Sequence, residues 1–347
     1  MRWTLLTLLS LTLLAGCDQP GPETDNGEAA AKEVNVYSAR KEALIRPLLD
    51  RFTEKTGTEV NLITGGADAL IERMESEGEH SPADLLLTVD AGRLYRARQA
   101  DLLQKTDSET LRNAVPEQYR HPEGYWHGLS VRSRVLVVAP DRVPANAPSR
   151  YADLADERWQ DRICIRSSNN IYNQSLVASL IAHKGEEATE QWARGLVENM
   201  ARSPQGGDRD QILAVANDLC DIAVVNTYYL AMMHNSDDQT QREAADQVAL
   251  RWPNQNDRGA HVNISGAGVA RHAPHPEQAR ALLEFLVNDE SQQWYAEVNN
   301  EYPVKEDVAI SETLREWGDY KADDLPLVRL GENNDKAVRL MDRAGWQ

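Results

Sequence analysis

The chain has 347 residues, of which 55 are acidic and 37 basic, giving a formal net charge of −18. So large an acidic excess excludes a protein built around nucleic-acid phosphates, which need a basic footprint, and argues against one that lies on anionic lipid. Hydrophobic residues make up 41% of the chain, enough for an ordinary core, and the length allows two domains of about 150 residues each.

The first residues speak to compartment. Arg2 gives a positive start, Leu5 to Leu14 are apolar, and small residues precede Cys17. That pattern is a secretory signal, and its apolar run is too short to span a bilayer as a stable helix. Leu14-Ala15-Gly16-Cys17 resembles a bacterial lipobox, whose cysteine thiol receives diacylglycerol. Residues 1–17 are therefore expected to be a signal peptide ending at a lipidated Cys17. Asp18 follows, which in enteric bacteria favours retention at the inner membrane. Residues 18–33 are rich in Pro, Gly, Glu, Asp and Ala, with little to bury, and read as an extended tether. Setting Cys17 aside leaves Cys164 and Cys220, an even pair in an oxidising compartment. They can bridge only if the fold brings their Cα atoms within reach.

Beyond the tether, apolar runs alternate with amphipathic stretches. Val34 to Tyr37 reads as a strand. Ala43 to Thr56 reads as a helix with Leu44, Leu48, Leu49 and Phe52 on one face, stopped by Gly57. A strand at Glu59 to Ile63, a helix at Ala67 to Glu77 and a strand at Asp84 to Val89 complete a βαβαβ order. A second set opens near Ser133. It has strands at Val135–Ala139, Ile163–Ile165 and Ile222–Val225, and helices at Ser175–His183, Glu187–Asn199 and Asp208–Asp218. Val262 to Ala270 and the helix from Pro276 to Asn288 form a further strand-helix unit. This alternation predicts an α/β layer fold in two lobes, each a mixed sheet flanked by helices. A ligand cleft is expected between them, where loops leave strand ends for helix starts.

Two loops carry candidate chemistry. Asn226-Thr227-Tyr228-Tyr229 follows the apolar strand directly. Neighbours on extended backbone point to opposite faces, so both phenols can meet one point only if the chain turns there. Tyr172 lies in the polar run from Arg166 to Ser175, likewise a strand end, and one that runs into a helix start. Taken by themselves, the paired tyrosines could equally be aromatic strand residues packed at a core edge.

Four segments together resemble the ferric-ion-binding proteins of bacterial iron importers, within the extracellular solute-binding family. They are Val36-Tyr37-Ser38-Ala39-Arg40, the Arg166–Ser175 run, Asn226-Thr227-Tyr228-Tyr229, and His261-Val262-Asn263-Ile264-Ser265-Gly266-Ala267-Gly268. They occur in the expected order across nearly the whole mature chain. The resemblance implies the class II periplasmic-binding-protein fold, with iron ligands Tyr172, Tyr228 and Tyr229. It also implies an ATP-driven permease as partner and no enzymatic activity. Its lobes would comprise 34–131 with about 258–306, and 132–257 with about 307–347, the chain crossing near Val131–Arg134 and Trp252–Asp257. Ferric ion, small and hard, selects anionic oxygen over sulfur, and a bound cation stabilises a phenolate whose free pKa is about 10. Three phenolates balance a trivalent ion.

One departure stands out. Many members carry His, or His-Tyr, after the first strand, where this chain has Lys41 and Glu42. Tyr37 lies within the strand and reads as packing, while Glu42 is an oxygen donor unmatched in the family pattern. The variant resembles members that complete the iron shell with a synergistic anion, usually carbonate. A guanidinium suits such an anion: Arg132 is the first candidate holder and Arg40 the second. No zinc spacing, nucleophile elbow, Walker or dinucleotide fingerprint is present. The reading is a monomeric, lipid-anchored periplasmic receptor for ferric iron that serves an ABC permease and its ATPase. The alternative is the same fold holding a small organic or inorganic anion.

Overall fold

The computed structural model describes residues 32–347. The expected signal peptide, the lipidation site Cys17 and nearly all of the 18–33 tether lie outside the described residues. Among these residues, nine strands form the frame: β1 (Glu33–Ser38), β2 (Glu59–Thr64), β3 (Leu85–Thr88), β4 (His127–Val138), β5 (Ile163–Cys164), β6 (Ile222–Asn226), β7 (Ala249–Arg251), β8 (Val262–Val269) and β9 (Tyr302–Pro303). Their order is β2-β1-β3-β8-β4-β6-β5, with β7 and β9 also paired to β4. β1 runs parallel to β2 and β3, whereas β8 is antiparallel to β3 and β4. The result is the expected two-lobed α/β fold with mixed sheets.

β4 is the spine, and it is longer than sequence suggests. A new strand was expected from Val135, yet the chain runs unbroken from His127 through all twelve buried residues to Val138. His127 to Ser133 pairs with β8, and Arg134 to Val138 pairs with β6. Four buried polar residues, Ser130, Arg132, Ser133 and Arg134, break its apolar pattern and hide its continuity. Each has partners: Ser130 donates to Glu301 at 2.7 Å, and Arg134 to Asp208 at 2.7 Å. Trp252–Asp257, expected as a second crossing strand, is instead a turn after β7. There Asn254 adopts a φ of 59°, and its side chain accepts the Tyr151 backbone N–H at 3.1 Å.

The hydrophobic interior divides accordingly. One core surrounds β1, β3, β8 and the first half of β4. Beyond the switch the strands alternate. Leu136, Val138, Ile222 and Val224 face a second core, and Val135, Val137, Ala223 and Val225 a third on the opposite face, the two-residue period of extended backbone. The closing segment divides between them, with Leu327 and Leu330 in the first core and Ala337, Leu340 and Trp346 in the second. Cys164 and Cys220 form a disulfide with their Cα atoms 5.9 Å apart. It ties the end of β5 to the residues that enter β6. No helix among the described residues is long and apolar enough to cross a membrane.

Candidate functional site

β6 ends at Asn226 and a helix, Thr227–His234, starts at the next residue. Tyr228 and Tyr229 therefore sit in a first helical turn, not on extended backbone. At 3.6 residues per turn, neighbours diverge by about 100° rather than 180°, which lets both rings lean the same way. Their centroids are 4.3 Å apart, tilted by 35°. Tyr172 also sits in a first turn, of the helix Ile171–Lys184, which begins four residues before the expected Ser175. Asn170 sets that start, its side chain accepting the Asn173 backbone N–H at 3.3 Å. The Tyr228 hydroxyl donates to the Tyr172 hydroxyl at 3.2 Å. The structure thus brings the three sequence-nominated phenols to one place.

They face a cleft of about 280 Å³. Tyr172, Tyr228, Tyr229, Arg209 and Met232 line one side, and Ala39, Arg40, Lys41, Ala43, Leu44 and Val89 line the other. Burial, reinforced by Tyr172 and Tyr229, pushes the Tyr228 phenol well above its usual value near 10, against an opposing pull from Arg132. Burial, again with Tyr172, pushes Tyr229 up to about 12. Tyr228 and Tyr229 are therefore neutral phenols at neutral pH until a bound cation displaces the proton. Among the described residues no group of three His, Cys, Asp or Glu is placed to hold a metal; the anionic or ionisable oxygens that line this cleft are those of the three phenols and Glu301.

A buried ionic frame fixes the two helix starts. Asp208 accepts from Arg134 at 2.7 Å, from the Asn226 backbone N–H at 2.8 Å and from Arg166 at 3.4 Å. Arg134 also donates to Asn173 Oδ1 at 2.6 Å. The Arg134 and Arg166 guanidinium carbons each stand 5.8 Å from the Tyr172 ring centre. One carboxylate thus holds the Tyr172 helix, through Arg134 and Asn173, and the end of β6 that launches Tyr228.

The nominated arginines are not equivalent. Arg132 lines the cleft 5.9 Å from the Tyr228 ring centre; it donates to the Val89 carbonyl and to Ser265 Oγ, and its Nε has no protein partner. Arg40 also lines the cleft, but its nitrogens are taken. It pairs with Glu301 at 2.6 Å and donates to Ser265 Oγ at 2.6 Å and to the Leu44 carbonyl at 3.1 Å. The second anion holder named from sequence is thus a buried ion pair, because Glu301 captures it. Burial pulls the Glu301 carboxyl upward, but Arg40 and Arg132 outweigh it and hold the group below its usual 4.5. Tyr37 packs as expected, donating to Glu77 at 2.9 Å. Glu42 pairs with the neighbouring Arg46 at 3.1 Å.

Sequence reading missed Glu301, Asp208 and Arg209. Glu301 and Asp208 carry no local pattern that separates them from the other 53 acids of the 55; only the fold surrounds them with guanidinium groups. The Ser265-Gly266-Ala267-Gly268 motif is explained by packing. A Cβ at Gly266 would stand 2.8 Å from the His127 carbonyl, and one at Gly268 would stand 2.5 Å from that of Tyr125.

Two α/β lobes with a cleft lined from both sides are the architecture of a receptor for a small solute. Residues 80–322 match the family described as bacterial extracellular solute-binding protein, and the chain belongs to that family, whose members bind solutes rather than turn them over. Within it the chain is similar to iron uptake protein A1 of Synechocystis sp., 44% identical over 336 residues that cover 96% of this chain and 93% of that relative. Among solved structures it is similar to Trichodesmium IdiA (FutA) in complex with iron and citrate ligands. That structure has a TM-score of 0.87 and 48% identity, covering 91% of this chain and 100% of that one. Iron-bound HitA from Pseudomonas aeruginosa gives a TM-score of 0.80 at 28% identity, covering 90% and 99%.

Proposed function

We propose that this chain is the periplasmic ferric-ion receptor of an ABC importer, anchored at the inner membrane through lipidated Cys17. Tyr172, Tyr228 and Tyr229 coordinate the metal as phenolates, and a synergistic anion completes the shell beside Arg132. The observation that carries this reading is the convergence of three phenols, two of them 3.2 Å apart, in a cleft lined by several cations and Glu301. Hard phenolate oxygen is what a trivalent iron selects. The iron proteins named above are similar over nine-tenths of the chain or more, which supports the same cargo here.

Each phenolate must lose a proton as iron enters, so capture releases protons and acid favours release. Because the cleft has walls from both sides, a ligand that touches both favours the closed arrangement, and closure would present the loaded receptor to the permease and its ATPase. The two lobes are proposed to divide near Val131–Arg134 on β4.

The test is a visible spectrum of the soluble mature domain titrated with ferric citrate, with and without bicarbonate. A broad charge-transfer band saturating near one iron per chain is expected. A colourless protein would overturn the ferric reading and leave an organic or inorganic anion as cargo.

A further inference from the structure

Resting on the reading above, we infer that Arg209 is an anion-recognising side chain of this cleft. With it, the cleft takes ferric ion together with a small polycarboxylate rather than with a lone carbonate.

The inference begins with charge. Three phenolates cancel the charge of one ferric ion, leaving the other ionic side chains of the cleft to be balanced. These are Arg40, Lys41, Arg132 and Arg209, against the single carboxylate of Glu301. Arg40 pairs with Glu301 at 2.6 Å, and Arg132 approaches the same carboxylate at 3.6 Å. Four cations against one anion leave three positive charges facing a site that the iron itself does not help to neutralise. A single carbonate cannot balance that excess; a tricarboxylate can.

Of the three arginines in this set, Arg209 is the one without an anionic partner. Its only side-chain hydrogen-bond contact is from Nη2 to the sulfur of Met232 at 3.6 Å, a weak acceptor, and its buried Nε has no partner. The adjacent carboxylate, Asp208, does not serve it, being fully engaged with Arg134, Arg166 and the Asn226 backbone. A guanidinium at the rim of a cleft with free coplanar donors is suited to a carboxylate. Lys41, exposed on the opposite wall, supplies a second and more mobile charge. Size agrees: about 280 Å³ is room for about nine waters at about 30 Å³ each, far more than a four-atom carbonate fills.

The experiment compares wild type with Arg209→Gln and Arg209→Lys in the mature chain, following the visible iron band in two separate arms, citrate and bicarbonate. In Arg209→Gln, citrate-supported affinity should fall about tenfold, as expected for loss of a charge-assisted contact. Bicarbonate-supported affinity should change less than about twofold, and Arg209→Lys should recover part of the citrate arm. An unchanged melting temperature checks that the fold is intact, which the weak contacts of this side chain predict. Equal citrate affinity in wild type and Arg209→Gln would overturn the inference while leaving tyrosinate coordination standing. So would an equal loss in both arms. Absence of the band in wild type would overturn both readings together.

Discussion

At the scale of single residues, ligands and supports are separable by what their loss would do. Tyr228 and Tyr229 present hydroxyls to the cleft, so phenylalanine at either position keeps the ring packing and removes only the oxygen. Tyr228→Phe and Tyr229→Phe should each abolish or strongly bleach the iron band while leaving thermal unfolding near wild type. A variant that keeps both colour and affinity would remove that residue from the ligand set. Glu301 behaves oppositely. Its carboxylate is buried between Arg40 and Arg132, and Glu301→Gln leaves two guanidinium groups without a counter-charge. Breaking a buried pair in this way costs about 3–5 kcal/mol, which denaturant unfolding would read. A loss below about 1 kcal/mol would show that solvent reaches the pair.

At the scale of elements, the cleft is made by helix starts. All three tyrosines occupy first turns, where the backbone changes direction and neighbouring side chains can converge. Sequence reading placed the Tyr172 loop between a strand and a helix, and the paired tyrosines at a strand end without the helix that starts at Thr227. It missed where each helix begins, because several residues in Arg166-Ser167-Ser168-Asn169-Asn170 can cap and tertiary contacts choose among them. Asn170 is the one chosen, and Asn170→Ala should cost about 1 kcal/mol and loosen Tyr172. Iron affinity is expected to fall with stability; full affinity in a destabilised variant would show that Tyr172 is held by Arg134 and Asn173 instead. The disulfide acts on the neighbouring element. It closes a loop with a sequence separation of 56, and chain-entropy reasoning assigns it about 4 kcal/mol. The paired Cys164→Ala and Cys220→Ala variant should unfold at clearly lower denaturant concentration, and an unchanged midpoint would contradict that assignment.

At the scale of the whole molecule, stability should fall in acid. Burial, with Arg258 and Arg134 nearby, depresses His261 to about 3, and burial with Arg120 depresses His127 to about 4. Both titrate near 6.5 once unfolded. Below that value the unfolded chain binds protons that the folded one refuses, so stability present above about pH 6.5 drains away as pH falls toward 4 and 3. Glu301, held below its usual value, adds a loss of the same sign at lower pH. Melting temperatures between pH 7 and pH 4 would measure this, and His127→Gln with His261→Gln should flatten the curve. An unaltered slope in the double variant would place the acid sensitivity in carboxylates alone.

Local pattern was enough for the α/β alternation, the position of seven of the nine strands and six of the fourteen α-helices among the described residues, and the three phenols as a set. Those features rest on period, on turn residues and on adjacent side chains, all of which are written along the chain. The unbroken β4, the division of the closing segment between cores and the fate of the arginines were decided only by the tertiary structure. Arg40, Arg132, Arg134, Arg166 and Arg209 are indistinguishable as sequence. What separates them is which carboxylate the fold carries to each. Glu301 arrives from 261 residues beyond Arg40, Asp208 comes to Arg134 across 74, and neither reaches Arg209. Charge pairing is a property of distance in space, and the chain order does not contain it.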